Sequence, residues 1–250
     1  MTHTALETRA LCKSFGALTV ADQIDFRLET GIRHALIGPN GAGKTTFVNM
    51  LTGRLAPSSG QVLLGGGDVT RLSQEARVKR GLGRTFQINT LFRGMTVLDN
   101  VALGVAERQR VGGRPWRPAS AYAHVRDEAV DLLRTFGLET DARRRVVDLP
   151  YGKQRLVEIA IALGLQPTVL LLDEPAAGVP SLESGRILDA LAQLPAHIAI
   201  MIIEHDMDLV FRFAQRITVL VQGQVLCEGP PAEIADDPRV HQAYLGERRG

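Results

Sequence analysis

Three stretches in the second half of the chain are almost wholly apolar: Val169 to Leu172, Ile198 to Ile203 and Ile217 to Val221. Runs without a polar face predict strands buried on both sides, as in a parallel sheet covered by helices. His34 to Ile37 is a shorter run of the same kind. Thr45 to Leu51 follows it, with Phe47, Val48, Met50 and Leu51 at helical spacing. Nearer the N-terminus polar and apolar residues mix. Ala10 to Phe15 and Val20 to Leu28 predict short strands on either side of a turn at Gly16. Gln61 to Leu64 predicts another, ending at Gly65-Gly66-Gly67. From Thr96 to Asp148 the period changes. Thr96 and Asp99 make a helix start of the capping-box kind, ahead of Val97 to Glu107. Val125, Ala129, Leu132, Leu133 and Phe136 mark a second helix over Ala121 to Phe136, stopped by Gly137. The pattern predicts an α/β fold: a mostly parallel sheet, an antiparallel β subdomain and an inserted α-helical subdomain over residues 88–150. No internal repeat or low-complexity tract is visible.

Composition narrows the class without naming it. A chain of 250 residues can bury one large core or two smaller ones. Lys plus Arg number 29 and Asp plus Glu 27, a net charge of +2, which gives no whole-chain case for nucleic acid as a partner. Cys12 and Cys227 lie far apart without metal-type spacing, and they point to a reducing compartment. No window approaches the ~20 apolar residues that a membrane span needs. The N-terminal MTHTALETRA lacks an apolar signal core. The expectation is a cytosolic chain, held by something else if it works at a membrane.

The chemistry begins at LIGPNGAGKTTF, residues 36 to 47. Gly38, Gly43, Lys44 and Thr45 fit G-x-x-x-x-G-K-[ST], with a predicted strand before and a predicted helix after. Glycines let successive N–H groups turn inward, and the helix N-terminus adds positive potential for a phosphate. Lys44 then reaches β/γ-phosphates and the Thr45 hydroxyl serves Mg²⁺. Hydrolysis needs more, and VLLLDEP at 169 to 175 supplies it. Asp173 ends a buried strand where it can hold Mg²⁺. Glu174 can polarise or deprotonate the attacking water. His205 ends the run at 198 to 203 in the same manner, so its imidazole can sense a γ-phosphate and help order the water; a purely structural histidine is the alternative. Gln87, in GRTFQ, also follows a predicted strand, and its amide can complete a Mg²⁺ or water shell.

In this order the motifs resemble those of the ATP-binding subunit of ABC transporters, over essentially the whole chain. The resemblance implies a single ATPase domain over residues 1–250 with a P-loop NTPase core. It implies that Phe15 stacks on adenine and that Gly38, Pro39, Asn40, Gly41, Ala42, Gly43, Lys44, Thr45 and Thr46 wrap the phosphates of ATP. Gln87 matches the Q-loop glutamine, LPYGKQR at 149 to 155 the signature sequence, LLLDE with Val169 before it the Walker B strand and catalytic glutamate, AAGVP at 176 to 180 the D-loop, and His205 the switch histidine. Two such subunits, alike or different, would close on two ATP molecules, with Tyr151, Gly152 and Lys153 of one facing the nucleotide of the other. Mg²⁺ would be held by Thr45, Gln87 and Asp173. The implied partners are membrane-spanning permease subunits and, indirectly, a periplasmic or extracellular solute-binding protein. The implied location is peripheral, on the cytoplasmic face of the inner membrane. RTFQINTLFRGMTVLDNV, LDEPAAG, IIEHDMDLV and IADDPRVHQAYLGE are similar to the branched-chain amino acid uptake type. Relatives serving urea, amides or lipopolysaccharide, and non-transport ATPases of the same superfamily, are the alternatives.

Two motifs depart from the family pattern, the signature sequence and the D-loop. Pro150 stands where a serine is usual, followed by Tyr151, with Lys153 in place of glutamine. Pro180 occupies the D-loop position usually held by aspartate or asparagine. Phe86, Leu91, Phe92 and Met95 are expected either to dock a partner helix or to pack inside the helical subdomain. RQRVGGRPWRP, from Arg108 to Pro118, reads as a loop, either a solvated linker or a contact with lipid or the membrane partner.

Overall fold

The computed structural model describes residues 3–85, 91–111 and 122–245, without the side chains of 181–183 and 245. The chain forms two compact units. The first is Met1–Leu82 with Thr168–Glu174 and Pro195–Gly250; the second is Gly83–Pro167 with Pro175–Leu194.

In the first unit, β1 (Thr4–Phe15), β2 (Leu18–Glu29), β4 (Ser59–Leu64) and β5 (Gly67–Asp68) form an antiparallel sheet in the order β2-β1-β4-β5. β1 and β2 are longer than the sequence pattern predicts, and a bulge explains why. Leu6 and Leu11 are both fully buried although five residues apart, where strict alternation would put them on opposite faces. Ala10 takes φ 43° between them, the register shifts there, and its N–H donates to Asp25 Oδ1 at 2.7 Å. A Cβ on Gly60 would stand 2.3 Å from the Ala10 carbonyl oxygen, so the bulge requires glycine opposite it.

The second sheet runs β10 (Gln224–Gly229), β9 (Arg216–Val221), β3 (Arg33–Ile37), β8 (Ala199–Ile203), β7 (Val169–Asp173). β6 (Leu82–Thr85) continues the order from Leu82 as the chain leaves the unit. β9, β3, β8 and β7 are mutually parallel, and all five residues of β3, β7 and β8 are buried, as their apolar runs predict. α1 (Lys44–Thr52) packs into the apolar core through Phe47, Val48, Met50 and Leu51, together with Phe26 and Leu36. α2 (Gln74–Val78), α7 (Met207–Phe213), α8 (Pro231–Asp236) and α9 (Pro238–Leu245) complete the unit.

The second unit is helical. α3 (Val97–Arg108), α4 (Ala123–Thr135) and α5 (Tyr151–Gly164) pack on one another, and α6 (Ser181–Ala192) lies against α5. Thr96 caps α3 as its sequence predicts, its hydroxyl accepting from Asp99 N at 3.1 Å. Gly137 takes φ 63° just past the end of α4. Gly104 lets α3 approach α5 closely, since a Cβ there would stand 2.6 Å from the Ile161 carbonyl oxygen. The unit contains the described part of the predicted 88–150 segment and continues through α5 and α6, whose buried faces belong with those helices.

Candidate nucleotide site

Three neighbouring parallel strands deliver the predicted groups to one edge of the sheet. Leu36 of β3 pairs with Ile203 of β8, and Ile203 with Asp173 of β7. The segments that follow these strands therefore emerge side by side: Gly38 to Lys44 after β3, Glu204 and His205 after β8, Glu174 after β7. This is the C-terminal edge of a parallel sheet, where ligands of open α/β folds bind.

The loop after β3 is shaped for an anion. Gly38, Gly41 and Gly43 have φ of 151°, 75° and 98°. A Cβ on Gly38 would lie 2.0 Å from the Leu220 carbonyl oxygen, and one on Gly43 2.6 Å from that of Val20. At Gly41 a Cβ would meet nothing within 4 Å, so that side of the loop is open. Gly43 caps α1 without a side-chain acceptor, and the first turn holds no acidic residue. The orphan N–H groups of the helix start are thus left for a ligand. Lys44 curls over the loop, its ammonium donating to the carbonyls of Gly38 at 2.5 Å and Pro39 at 2.9 Å. Pro39 and Thr46 are half-buried, Asn40 and Thr45 exposed, and Ala42 is buried. These residues fit a polyphosphate: open backbone donors, one primary ammonium and an exposed hydroxyl at the helix start.

Asp173 is buried at the end of β7. Glu174 turns away from the strand at φ 47°, a left-handed conformation, and its N–H donates to the Ile203 carbonyl at 2.9 Å. Its side chain is about one-third exposed, and its Oε1 lies 3.9 Å from Nδ1 of His205. The His205 side chain is 68% exposed, open to a ligand. Phe15 is 52% exposed at the β1–β2 hairpin, with the Lys13 ammonium 5.0 Å from its ring centroid. The ammonium covers one face, and the exposed remainder of the ring is what a base can reach.

The predicted signature residues lie in the second unit. Pro150, at φ −54° and ψ 149°, caps α5 with no side-chain hydrogen bond. Gly152 is buried. Tyr151 lies beneath the Arg155 guanidinium at 5.1 Å, and a Cβ on Gly178 would meet its ring at 3.2 Å. Lys153 is engaged inside the unit: its ammonium sits 2.5 Å from Oδ2 of buried Asp141, which also accepts from Arg144 at 2.8 Å. The Lys153 and Arg144 cations hold the Asp141 carboxyl below the usual carboxylate range. Pro180 caps α6. Gln87, Phe86 and most of the Arg108 to Pro118 stretch, Trp116 included, lie outside the described residues. Of the predicted docking residues that are described, Leu91 is buried, Met95 half-buried and Phe92 59% exposed.

Sequence reading missed Glu204 and Asp141. Both carboxylates are visible in the sequence, but their burial, at 2% and 4% exposure, comes from long-range packing.

A strand, a glycine loop, a helix opening at Lys44 and a second parallel strand, one removed in the sheet and ending in Asp173, define a P-loop nucleotide-hydrolysing fold. The comparison with known families is more specific. Residues 21–177 match the ABC transporter family model, and the chain belongs to that family. Residues 224–249 match the C-terminal model described as branched-chain amino acid ATP-binding cassette transporter. The chain is 38% identical over 254 aligned positions to the high-affinity branched-chain amino acid transport ATP-binding protein LivG of Escherichia coli (strain K12), covering 99% of this chain and 100% of that protein. It is 35% identical, with the same coverage, to BraF of Pseudomonas aeruginosa, described in the same words. Among solved structures it resembles the ADP conformation of MJ1267, an ATP-binding cassette of an ABC transporter. The TM-score is 0.85 at 29% identity, covering 98% of this chain and 99% of that one. The chain is an ATP-binding cassette ATPase. Among its described residues no helix is long and apolar enough to cross a membrane.

Proposed function

We propose that this ATPase powers uptake of branched-chain amino acids or related small polar solutes, as one nucleotide-binding subunit of a membrane importer. The observation that carries the reading is full-length likeness to LivG together with the branched-chain model on residues 224–249. In this reading the loop from Gly38 to Thr46 binds the phosphates of ATP, Lys44 leaves its carbonyl partners for the β/γ-phosphates, and Phe15 stacks on the base. Thr45, Asp173 and, by the resemblance of its motif, Gln87 are the residues that would hold Mg²⁺. Bound there, the ion would neutralise developing phosphate charge. Glu174 deprotonates the attacking water, and His205, beside the terminal phosphate, helps to order that water.

A second ATP-binding subunit contributes its α5 start across the dimer. With Lys153 given to Asp141, that contact rests on Gly152 and its neighbours. Closure and reopening of the dimer drive permease subunits, which hold the ATPase at the cytoplasmic membrane face, and a solute-binding protein acts through them.

The test is copurification with the permease and binding-protein genes' products and ATPase assay in proteoliposomes. Leucine-loaded binding protein should stimulate turnover. In calorimetry Lys44→Ala should lose MgATP binding, whereas Glu174→Gln should keep binding and stop hydrolysis. Unchanged affinity in the first variant, or persistent hydrolysis in the second, places the chemistry elsewhere. Stimulation by another solute alone would overturn the amino acid reading.

A further inference from the structure

Glu204 closes β8 as a carboxylate only 2% exposed, next to a histidine that is 68% exposed. Its Oε2 accepts from the His205 backbone N–H at 3.4 Å and lies 3.8 Å from Nδ1 of the same residue. Glu174 Oε1 lies 3.9 Å from that nitrogen. The Nδ1 edge of the imidazole thus faces two carboxylates. The acidic groups that follow, Asp206 and Asp208, belong to the start of α7, where Asp206 Oδ1 accepts from the N–H groups of Asp208 and Leu209. We propose that Glu204 is a positioning residue for His205: it holds the ring with Nδ1 protonated and turned inward, so that bare Nε2 is presented outward as an acceptor for the attacking water.

The physical reason is the asymmetry between the two carboxylates. Neutral imidazole carries one N–H and one bare nitrogen, and a neighbouring acceptor decides which is which. Glu204 is packed in the interior, so its direction is fixed by the fold. Glu174 is partly solvated and, in the proposed reaction, its carboxylate is needed for water. A buried carboxylate behind an exposed histidine is the arrangement that orients imidazoles in other sites. Distances of 3.8 and 3.9 Å exceed a formed hydrogen bond. They match the loosened geometry that catalytic pairs show before a ligand tightens them.

The inference rests on the reading of His205 as a group that orders the attacking water at the terminal phosphate, and the experiment separates the two. Nitrogen-15 NMR of the histidine side chains in the full chain, with His205 assigned through His205→Gln, reports the tautomer directly. Wild type should show Nδ1–H. Glu204→Gln should move the ring toward Nε2–H while leaving melting temperature and MgATP affinity in place, and Glu204→Asp should restore Nδ1–H in part. In the assembled transporter Glu204→Gln should lower kcat by about 10- to 100-fold, the usual cost of losing an orienting partner, with KM for ATP unchanged. Wild type in the Nε2–H form, or an identical tautomer in wild type and Glu204→Gln, overturns the proposal. If Glu204→Gln does not fold, wild type and Glu204→Asp still decide it. A changed tautomer with unchanged turnover upholds the positioning and removes His205 from the chemistry.

Discussion

At position 153 the chain places an ammonium within the stretch whose resemblance implies contact with a nucleotide, and the fold gives that ammonium to Asp141. Asp141 is buried, so removing Lys153 would leave a carboxylate with only Arg144 for company. Position 150 is different. Pro150 has extended dihedrals at the cap of α5 and no side-chain bond to lose. A serine fits those angles and brings a hydroxyl that either caps α5 or reaches a phosphate of a partner's nucleotide. Pro150→Ser should therefore act in two separable ways. Capping should raise the stability of the lone chain by about 1 kcal/mol, with or without nucleotide. A bond to phosphate should strengthen ATP-dependent dimerisation in the Glu174→Gln background by about tenfold or more, and only with ATP. Urea titration reads the first effect and analytical ultracentrifugation with ATP or ADP the second. Weaker dimerisation would show that the proline itself shapes the start of the helix.

Among the elements, α1 is a nine-residue helix left open at one end and closed at the other. Its N-terminus is left open for a ligand. Its C-terminus ends at Gly53, φ 77°, where buried Arg77 of α2 donates to the carbonyls of Met50 and Leu51 at 2.6 Å each and to Thr70 at 2.8 Å. Arg77→Met should strand the Leu51 and Thr70 carbonyls, Met50 keeping its bond from the Gly53 N–H, and cost on the order of 3 kcal/mol, measured by urea unfolding. Nucleotide affinity should fall with it, because the same helix carries Lys44. A loss under about 1 kcal/mol would mean that water or a neighbour replaces the guanidinium.

The contrast shows what the sequence reveals. The glycine loop, the three apolar strands and the acidic strand end are local patterns, and each is legible because its chemistry and its spacing coincide. Arg77 reads as one more surface arginine, because the α1 carbonyls it closes lie 26 and 27 residues away. The early strands were underestimated because the bulge at Ala10 breaks the alternation by which strands are recognised. The extent of the helical unit beyond residue 150 was not legible either, since α5 and α6 are apolar in the manner of core helices anywhere.

For the molecule as a whole, the strand that leads into the phosphate loop also makes stability depend on pH. His34 of β3 is fully buried, edge-on to Phe26 at 4.9 Å. Thr218 donates its hydroxyl to Glu228 at 2.8 Å, so it accepts from His34 Nε2 at 2.7 Å. Nδ1 is buried without a hydrogen-bond partner among the described residues, and a second proton there would go unmatched. Burial pushes the imidazole down to about 4, with Glu228 opposing and Arg216 adding to the effect. The unfolded chain takes up that proton below about pH 6.5, the folded chain only near pH 4. Stability is therefore complete above pH 6.5 and declines from there to about pH 4. Between pH 6.5 and 5 wild type should lose about 2 kcal/mol relative to His34→Gln. Parallel pH curves for the two proteins would assign the loss to other groups.

Glu174 has a consequence of another kind. A glutamate at φ 47° sits in a region that costs about 1 kcal/mol or more, where asparagine or glycine would be at ease. The residue proposed to activate water is therefore a poor choice for the backbone that carries it. Ranked by foldability alone, sequences for this turn would favour inert ones. A stability-guided redesign of this chain would drift first toward a better-behaved protein that no longer turns over.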